Sequence, residues 1–129
     1  MIVVDASAIL EVLLQTTAAQ RVSQRIFSSN ETLCAPHLLD VEAAQVLRRY
    51  ARTGVITSER GGEALHDLAH LPLHRYPHSV LLPRIWQLRH NFTAYDAAYL
   101  ALAEALDATL VTRDRALRSS GSRARVEVI

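Results

Sequence analysis

Met1-Ile2-Val3-Val4-Asp5-Ala6-Ser7 is the stretch whose reading decides the fold. Its apolar residues, two of them β-branched valines, run without alternation straight into an acid. An unbroken apolar run of this kind suits a strand covered on both faces, as in a parallel sheet with helices on either side. The acid falls where the strand should end, just before the helical pattern Ala8-Ile9-Leu10-Glu11-Val12-Leu13-Leu14. Open parallel sheets bind ligands outside the carboxyl ends of their strands. Asp5 is thereby placed on the floor of a site, and the reading turns on which later residues converge on it.

Working outward, strand and helix patterns alternate. A second helical run covers Ala18 to Phe27, and Ser28-Ser29-Asn30-Glu31 reads as a loop before a short strand Thr32–Ala35. Pro36 suits the first turn of a helix, where its missing N–H costs nothing. That helix is expected from about His37 to Arg52, ending before Gly54, with another opening at Ser58. Pro72 and Pro77 confine Leu73–Tyr76 to a short or edge strand. A helix over Ser79–Arg89 has Trp86 and Leu88 as core candidates; a longer one runs from Ala94 to Leu106. Ala108–Thr112 is a strand, Arg115–Arg118 a short helix and Val126–Ile129 a last strand. Strands separated by helices predict a single α/β domain over residues 1–129 with a parallel sheet.

At 129 residues, 50% apolar and 21% charged, the chain has the size and composition of one soluble globular domain. It has no apolar run of membrane-spanning length and no basic region ahead of its first strand, so a cytoplasmic, unprocessed protein is expected, with no membrane partner. Its one cysteine, Cys34, excludes an internal disulfide. All 14 basic residues are arginines, and Arg113, Arg115, Arg118, Arg123 and Arg125 crowd near the C-terminus. A nucleic-acid footprint and a solvated arginine face both fit that crowding.

Four acids do not fit their surroundings. Glu42 shares its helical stripe with Leu38, Leu39 and Val46, where an unpaired charge is expensive to bury, so it should meet a cation or a metal. Asp96 opens an apolar helix at capping-box spacing from Thr93, and Asp114 follows the strand Ala108–Thr112. Asp5, Asp96 and Asp114 taken singly all read as helix caps. If the strands are neighbours, however, the four carboxylates gather at one end of the sheet and raise one another's pKa values unless a cation is present. An all-oxygen cluster suits Mg²⁺ or Mn²⁺, not zinc.

The spacing of Asp5-Ala6-Ser7, Glu42, Asn91-Phe92-Thr93-Ala94-Tyr95-Asp96-Ala97 and Thr112-Arg113-Asp114 resembles the PIN-domain ribonucleases, and most of all the VapC toxins of type II toxin–antitoxin pairs. The resemblance covers essentially the whole chain. It implies a three-layer α/β/α fold with about five strands ordered 3-2-1-4-5, the Met1 strand central. It implies that Asp5, Glu42, Asp96 and Asp114 hold one or two divalent ions and act in catalysis, with Ser7 and Thr112 supporting them. It further implies hydrolysis of RNA to a 5′-phosphate and a 3′-hydroxyl, a homodimer, and a cognate VapB-type antitoxin. Shortly after the last acid, where some members carry a further polar or acidic residue, this chain has Ala116 and Leu117.

Two competing readings stand beside this one. A non-catalytic α/β binding module would use the same acids as caps and ion pairs. A phosphatase with an aspartyl nucleophile would want a second acid two residues after the first, where Ser7 stands. His66, His70, His74 and His78 recur every four residues, but Pro72 and Pro77 prevent one helix from aligning them, and surface histidines account for the pattern. Tyr95 and Tyr99 read as core ahead of base-stacking rings, Glu11 as a helix-surface charge ahead of a residue near the pocket rim, and Asn91 either as a positioning group or as part of a turn.

Overall fold

In the computed structural model, β1 (Ile2–Val4) is the middle strand of a sheet ordered β3-β2-β1-β4-β5. The structure describes residues 1–28 and 30–129; the expected loop Ser28–Glu31 includes Ser29, which lies outside the described residues. After β1 come α1 (Ala6–Leu13), α2 (Ala19–Phe27), β2 (Leu33–Pro36), α3 (Leu38–Arg52) and α4 (Ser58–His70). Then follow β3 (Leu73–Tyr76), a 3-10 turn (Ser79–Leu81), α5 (Leu82–Gln87) and α6 (Ala94–Leu106). β4 (Thr109–Thr112), a second 3-10 turn (Arg115–Arg118) and β5 (Arg125–Val128) complete the chain. All four strand pairings are parallel, as the unbroken apolar strands require.

α6 packs on β1, β2 and β4 and carries α5 beside it, while α1 contacts β4, α2, α3 and α4. The sheet therefore lies between two helical layers. β1 is buried throughout, and in α6 every residue from Ala97 to Ala103 is buried, so this helix is apolar all round. The register Val4↔Val111 puts the ends of β1 and β4 side by side. There the chain order turns from β2 on one flank of β1 to β4 on the other, the switch point at which such sheets form their crevices.

Several expected boundaries move for local reasons. Pro36 ends β2 and does not start α3: the Tyr76 carbonyl takes its bond from His37 N–H at 2.9 Å, so no donor is asked of the proline. The single helix expected over Ser79–Arg89 is split in two, with Pro83 in the first turn of α5. Trp86 is not core; it is 67% exposed, with the Arg89 guanidinium 4.5 Å from its ring centroid, and Leu88 alone turns inward. α1 starts at Ala6, two residues earlier than expected.

The edge strand β5 is held by ionic ties. Arg25 of α2 donates to Glu127 of β5, Nε lying 2.9 Å from each carboxylate oxygen. Glu104, near the end of α6, accepts from Arg84 Nε at 2.7 Å, Ser122 Oγ at 2.9 Å and Arg123 N at 2.8 Å. Its side chain is only 6% exposed, so these donors fix the segment leading into β5. Arg84 foremost, then the Arg123 amide and the Ser122 hydroxyl, outweigh burial and hold the Glu104 carboxyl down to about 2. A folded pKa below the ordinary value adds stability at pH above that ordinary value, lost as pH falls toward the folded pKa. Glu104→Gln should therefore destabilise the protein by about 1–3 kcal/mol at neutral pH in urea titrations. Its deficit against wild type should shrink as pH falls from 4.5 toward 2.

Candidate active site: four carboxylates at the sheet's switch point

Asp5 follows the last residue of β1 and is the cap of α1, its Oδ1 accepting from Ala8 N at 3.1 Å. Among the described residues it is also one of two polar residues buried in the core; the other is Thr112, the last residue of β4. Thr112 Oγ1 donates to Asp5 Oδ2, and Ser7 Oγ donates to Oδ1 at 2.7 Å. A hydroxyl has one proton to give. Both protons are directed at Asp5, so the 3.3 Å approach of Ser7 Oγ to Thr112 Oγ1 adds no further donation. Each hydroxyl in turn accepts a backbone N–H at 2.9 Å: Ser7 from Arg113 and Thr112 from Asp114. The amides just past β4 are thus wired through two hydroxyls to one carboxylate.

The other acids arrive from three elements. Glu42 lies on the first turns of α3, and its Oε1 accepts from Tyr99 Oη at 2.6 Å. The Tyr99 ring is buried, so it is core as expected and also fixes an acid, whereas Tyr95, expected as core too, is 61% exposed. No arginine pairs with Glu42 among the described residues, contrary to the plain ion-pair reading of its stripe. Asp96 stands in the first turn of α6, whose cap is Thr93; Asp96 N donates to Thr93 Oγ1 at 3.1 Å. Asp114 caps the 3-10 turn Arg115–Arg118 through Oδ1, which accepts Ala116 N at 2.9 Å. The expectation of caps is thus met at Asp5 and Asp114, but the carboxylates of Glu42 and Asp96 cap nothing.

All four acids line one open cavity of about 350 Å³. Burial raises the Asp5 pKa against the pull of Thr112, Ser7 and the Ala8 amide, and the Asp114 charge raises it further. Glu42 is raised by burial and by the charges of Asp5 and Asp96, with the Tyr99 hydrogen bond opposing. Asp96 is raised by burial, then by Asp114 and Asp5. The mutual repulsion expected from the sequence is therefore present. The side chains are not closed into a cage: no three acids, histidines or cysteines among the described residues already surround one point as metal ligands do.

Two further residues stand here: Glu11, for which the pocket rim is only the lesser alternative in sequence, and Arg113. Glu11, read as a surface charge, lies on the cavity wall, where Thr16 Oγ1 and Arg113 Nε hold it, the latter at 3.6 Å. The signal was its i, i+4 spacing from Ser7 on α1. Arg113 itself lines the cavity. Asn91 stays out of it and packs against Gly121: a Cβ there would stand 2.3 Å from Asn91 Nδ2, and the glycine's φ of +118° favours no other residue. The histidines expected at the surface are spread over α4, β3 and the turn after it.

The PIN domain family matches residues 2–121. The chain belongs to the PIN-domain family. Within it, the VapC proteins are near relatives. The chain is 45% identical to ribonuclease VapC9 of Mycobacterium tuberculosis over 94% of its own length and 91% of the relative's. Ribonuclease VapC1 of the same organism is 43% identical, with 92% and 89% covered. Among solved structures, PAE2754 of Pyrobaculum aerophilum superposes with a TM-score of 0.70 at 26% identity, over 98% of this chain and 82% of that one. The PIN-family sheet order implied by the sequence is the order observed here.

Raised carboxyl pKa values carry a stability consequence. A group whose folded pKa exceeds its ordinary value stabilises the fold at low pH and loses that contribution as pH rises through the folded pKa. Asp96→Asn should therefore raise the melting temperature at neutral pH in chelator. The gain should vanish as pH is lowered below the ordinary carboxylate range, as read by scanning calorimetry across pH.

Proposed function

We propose that this chain is a Mg²⁺- or Mn²⁺-dependent endoribonuclease and the toxin of a type II toxin–antitoxin pair. The observation that carries the reading is the cavity at the β1–β4 switch point. Four carboxylates face it, three with pKa values raised in part by their neighbours. Such a donor set, all oxygen and self-repelling, suits a hard divalent cation. The near relatives' names as ribonucleases support the choice of RNA.

In this proposal Asp5, Asp96 and Asp114 hold the ion, and Glu42 holds it or the attacking water. Bound there, Mg²⁺ or Mn²⁺ supplies Lewis acidity, which acidifies water and offsets charge on the phosphodiester oxygens. The protein's part is to aim the donors. Ser7 and Thr112 lock both Asp5 oxygens, so this carboxylate does not rotate away from the crevice. Tyr99 occupies Oε1 of Glu42 and leaves Oε2 for the ion or the water. Water then attacks phosphorus in line; the P–O3′ bond breaks, leaving a 5′-phosphate and a 3′-hydroxyl. No serine, histidine or ribose 2′-hydroxyl is consumed as nucleophile. Likeness to the VapC ribonucleases supports a VapB-type antitoxin partner, and a homodimer belongs to the same proposal. A reading in which the acids are merely caps and ion pairs accounts for Asp5 and Asp114, but among the described residues the Glu42 and Asp96 carboxylates have neither role.

Incubation of the purified protein with structured RNAs tests this. Cleavage should require Mg²⁺ or Mn²⁺, stop in excess chelator, and leave 5′-phosphate ends. Asp5→Asn should abolish it, and Thr112→Val should slow it roughly 10–100-fold, as loss of a group that aims a ligand does. Cleavage that persists in chelator, or in Asp5→Asn, overturns the reading.

A further inference from the structure

The arginines crowded near the C-terminus divide into two groups in space. Arg123 and Arg125 are engaged by acids, Glu104 at 3.5 Å and Asp107 at 2.9 Å. Arg125 stands beside Thr109, at the start of β4, the end of the sheet away from the acidic cavity. Arg113, Arg115 and Arg118 follow the other end of β4 and are joined there by Arg21 from α2, more than ninety positions earlier in the chain. These four, with Val128 and Ile129, line a groove of about 610 Å³. Among the described residues no carboxylate lies within ion-pair distance of Arg21, Arg115 or Arg118.

Arg113 belongs to both the groove and the acidic cavity. Its backbone N–H is bonded to Ser7 Oγ and its side chain to Glu11 and the Ile129 carbonyl, so the junction is fixed relative to Asp5. Asp114, facing the cavity, is followed directly by Arg115, facing the groove. A ligand crossing this junction meets acids that take phosphate only through a cation, then guanidiniums that take it directly by paired N–H donors. A chain of repeated phosphates satisfies both; an acidic polypeptide meets repulsion from the cavity.

We infer that the groove of Arg21, Arg115 and Arg118, joined to the acidic cavity at Arg113, binds RNA backbone phosphates flanking the cleaved linkage. The inference rests on the ribonuclease reading for its ligand, and its test separates the two. A short fluorescent RNA is titrated in chelator across a salt series, by anisotropy, with wild type and with Arg21→Gln, Arg115→Gln and Arg118→Gln. Each substitution should weaken binding severalfold and flatten the plot of log affinity against log salt by about 0.7 per lost phosphate contact. In cleavage assays KM should rise by a similar factor with kcat little changed. Arg125→Gln should match wild type in every readout, and Asp96→Asn should keep the wild-type salt slope. RNA cleavage with salt slope and KM unchanged in the three arginine variants overturns the groove and spares the nuclease. Arginine-dependent binding without cleavage under any divalent ion sinks the nuclease and spares the groove. If the variants lose binding of a fluorescent oligoglutamate while binding RNA normally, the groove belongs to an acidic polypeptide and the inference fails.

Discussion

The Asp5 carboxylate is a charge-bearing group buried between two parallel strands, and the rest of the structure makes that placement tolerable. A carboxylate in such a place is destabilising unless hydrogen bonds reach it. Three donors do: Ser7, Thr112 and the Ala8 amide. One of them, Thr112, reaches Asp5 only because β1 and β4 are neighbours in the register that sets Val4 beside Val111. The apolar helix α6 and the layer around α1 bury that pair of strands, and the first turn of α6 brings Asp96 to the same crevice. Fold and site thus share one constraint: the middle of the sheet must be dry enough to build, yet open at one end onto a carboxylate.

Burial is also what makes the cluster costly to the fold. Burial leads the causes of the raised pKa at Asp5, Glu42 and Asp96, with neighbouring carboxylates adding to it. Stability is supplied elsewhere, at Glu104, where a buried carboxylate is fully partnered and its pKa falls. The contrast is informative because the two environments differ in the cations they offer. Glu104 has Arg84 beside it; of the cavity's two arginines among the described residues, Arg113 is turned to Glu11 and Ile129 and Arg49 lies over the Tyr50 ring, and neither pairs with the four acids. Acids left without a cation in a crevice are candidates for a site, whereas acids that find one are part of the scaffold.

Much of this was legible in the sequence because it follows from period and placement. The unbroken Ile2–Val4 run gave a doubly covered strand, and an acid at its end marked the crevice. Glu42 betrayed itself by standing in an apolar stripe. What sequence could not supply was the partner across the fold: Tyr99 reads as core at helical spacing, and its bond to Glu42 spans 57 positions. Likewise Arg21 has no local mark that separates it from the other arginines of a lysine-free chain. Trp86 was misplaced because apolar character alone does not say which side of a short, proline-started helix faces in. Pro36 went astray because strand end and helix start both tolerate a missing N–H, and only the β2–β3 pairing chooses between them.

The central claim is that Asp5, Glu42, Asp96 and Asp114 meet around a shared divalent ion. Anomalous diffraction from crystals soaked in Mn²⁺ measures this most directly. The account predicts a peak in the crevice beyond β1 and β4, within coordinating distance of Asp5 and at least one of Asp96 and Asp114, and its loss in Asp5→Asn crystals. Saturating Mn²⁺ that leaves the crevice empty, or that collects only at surface acids, would contradict it.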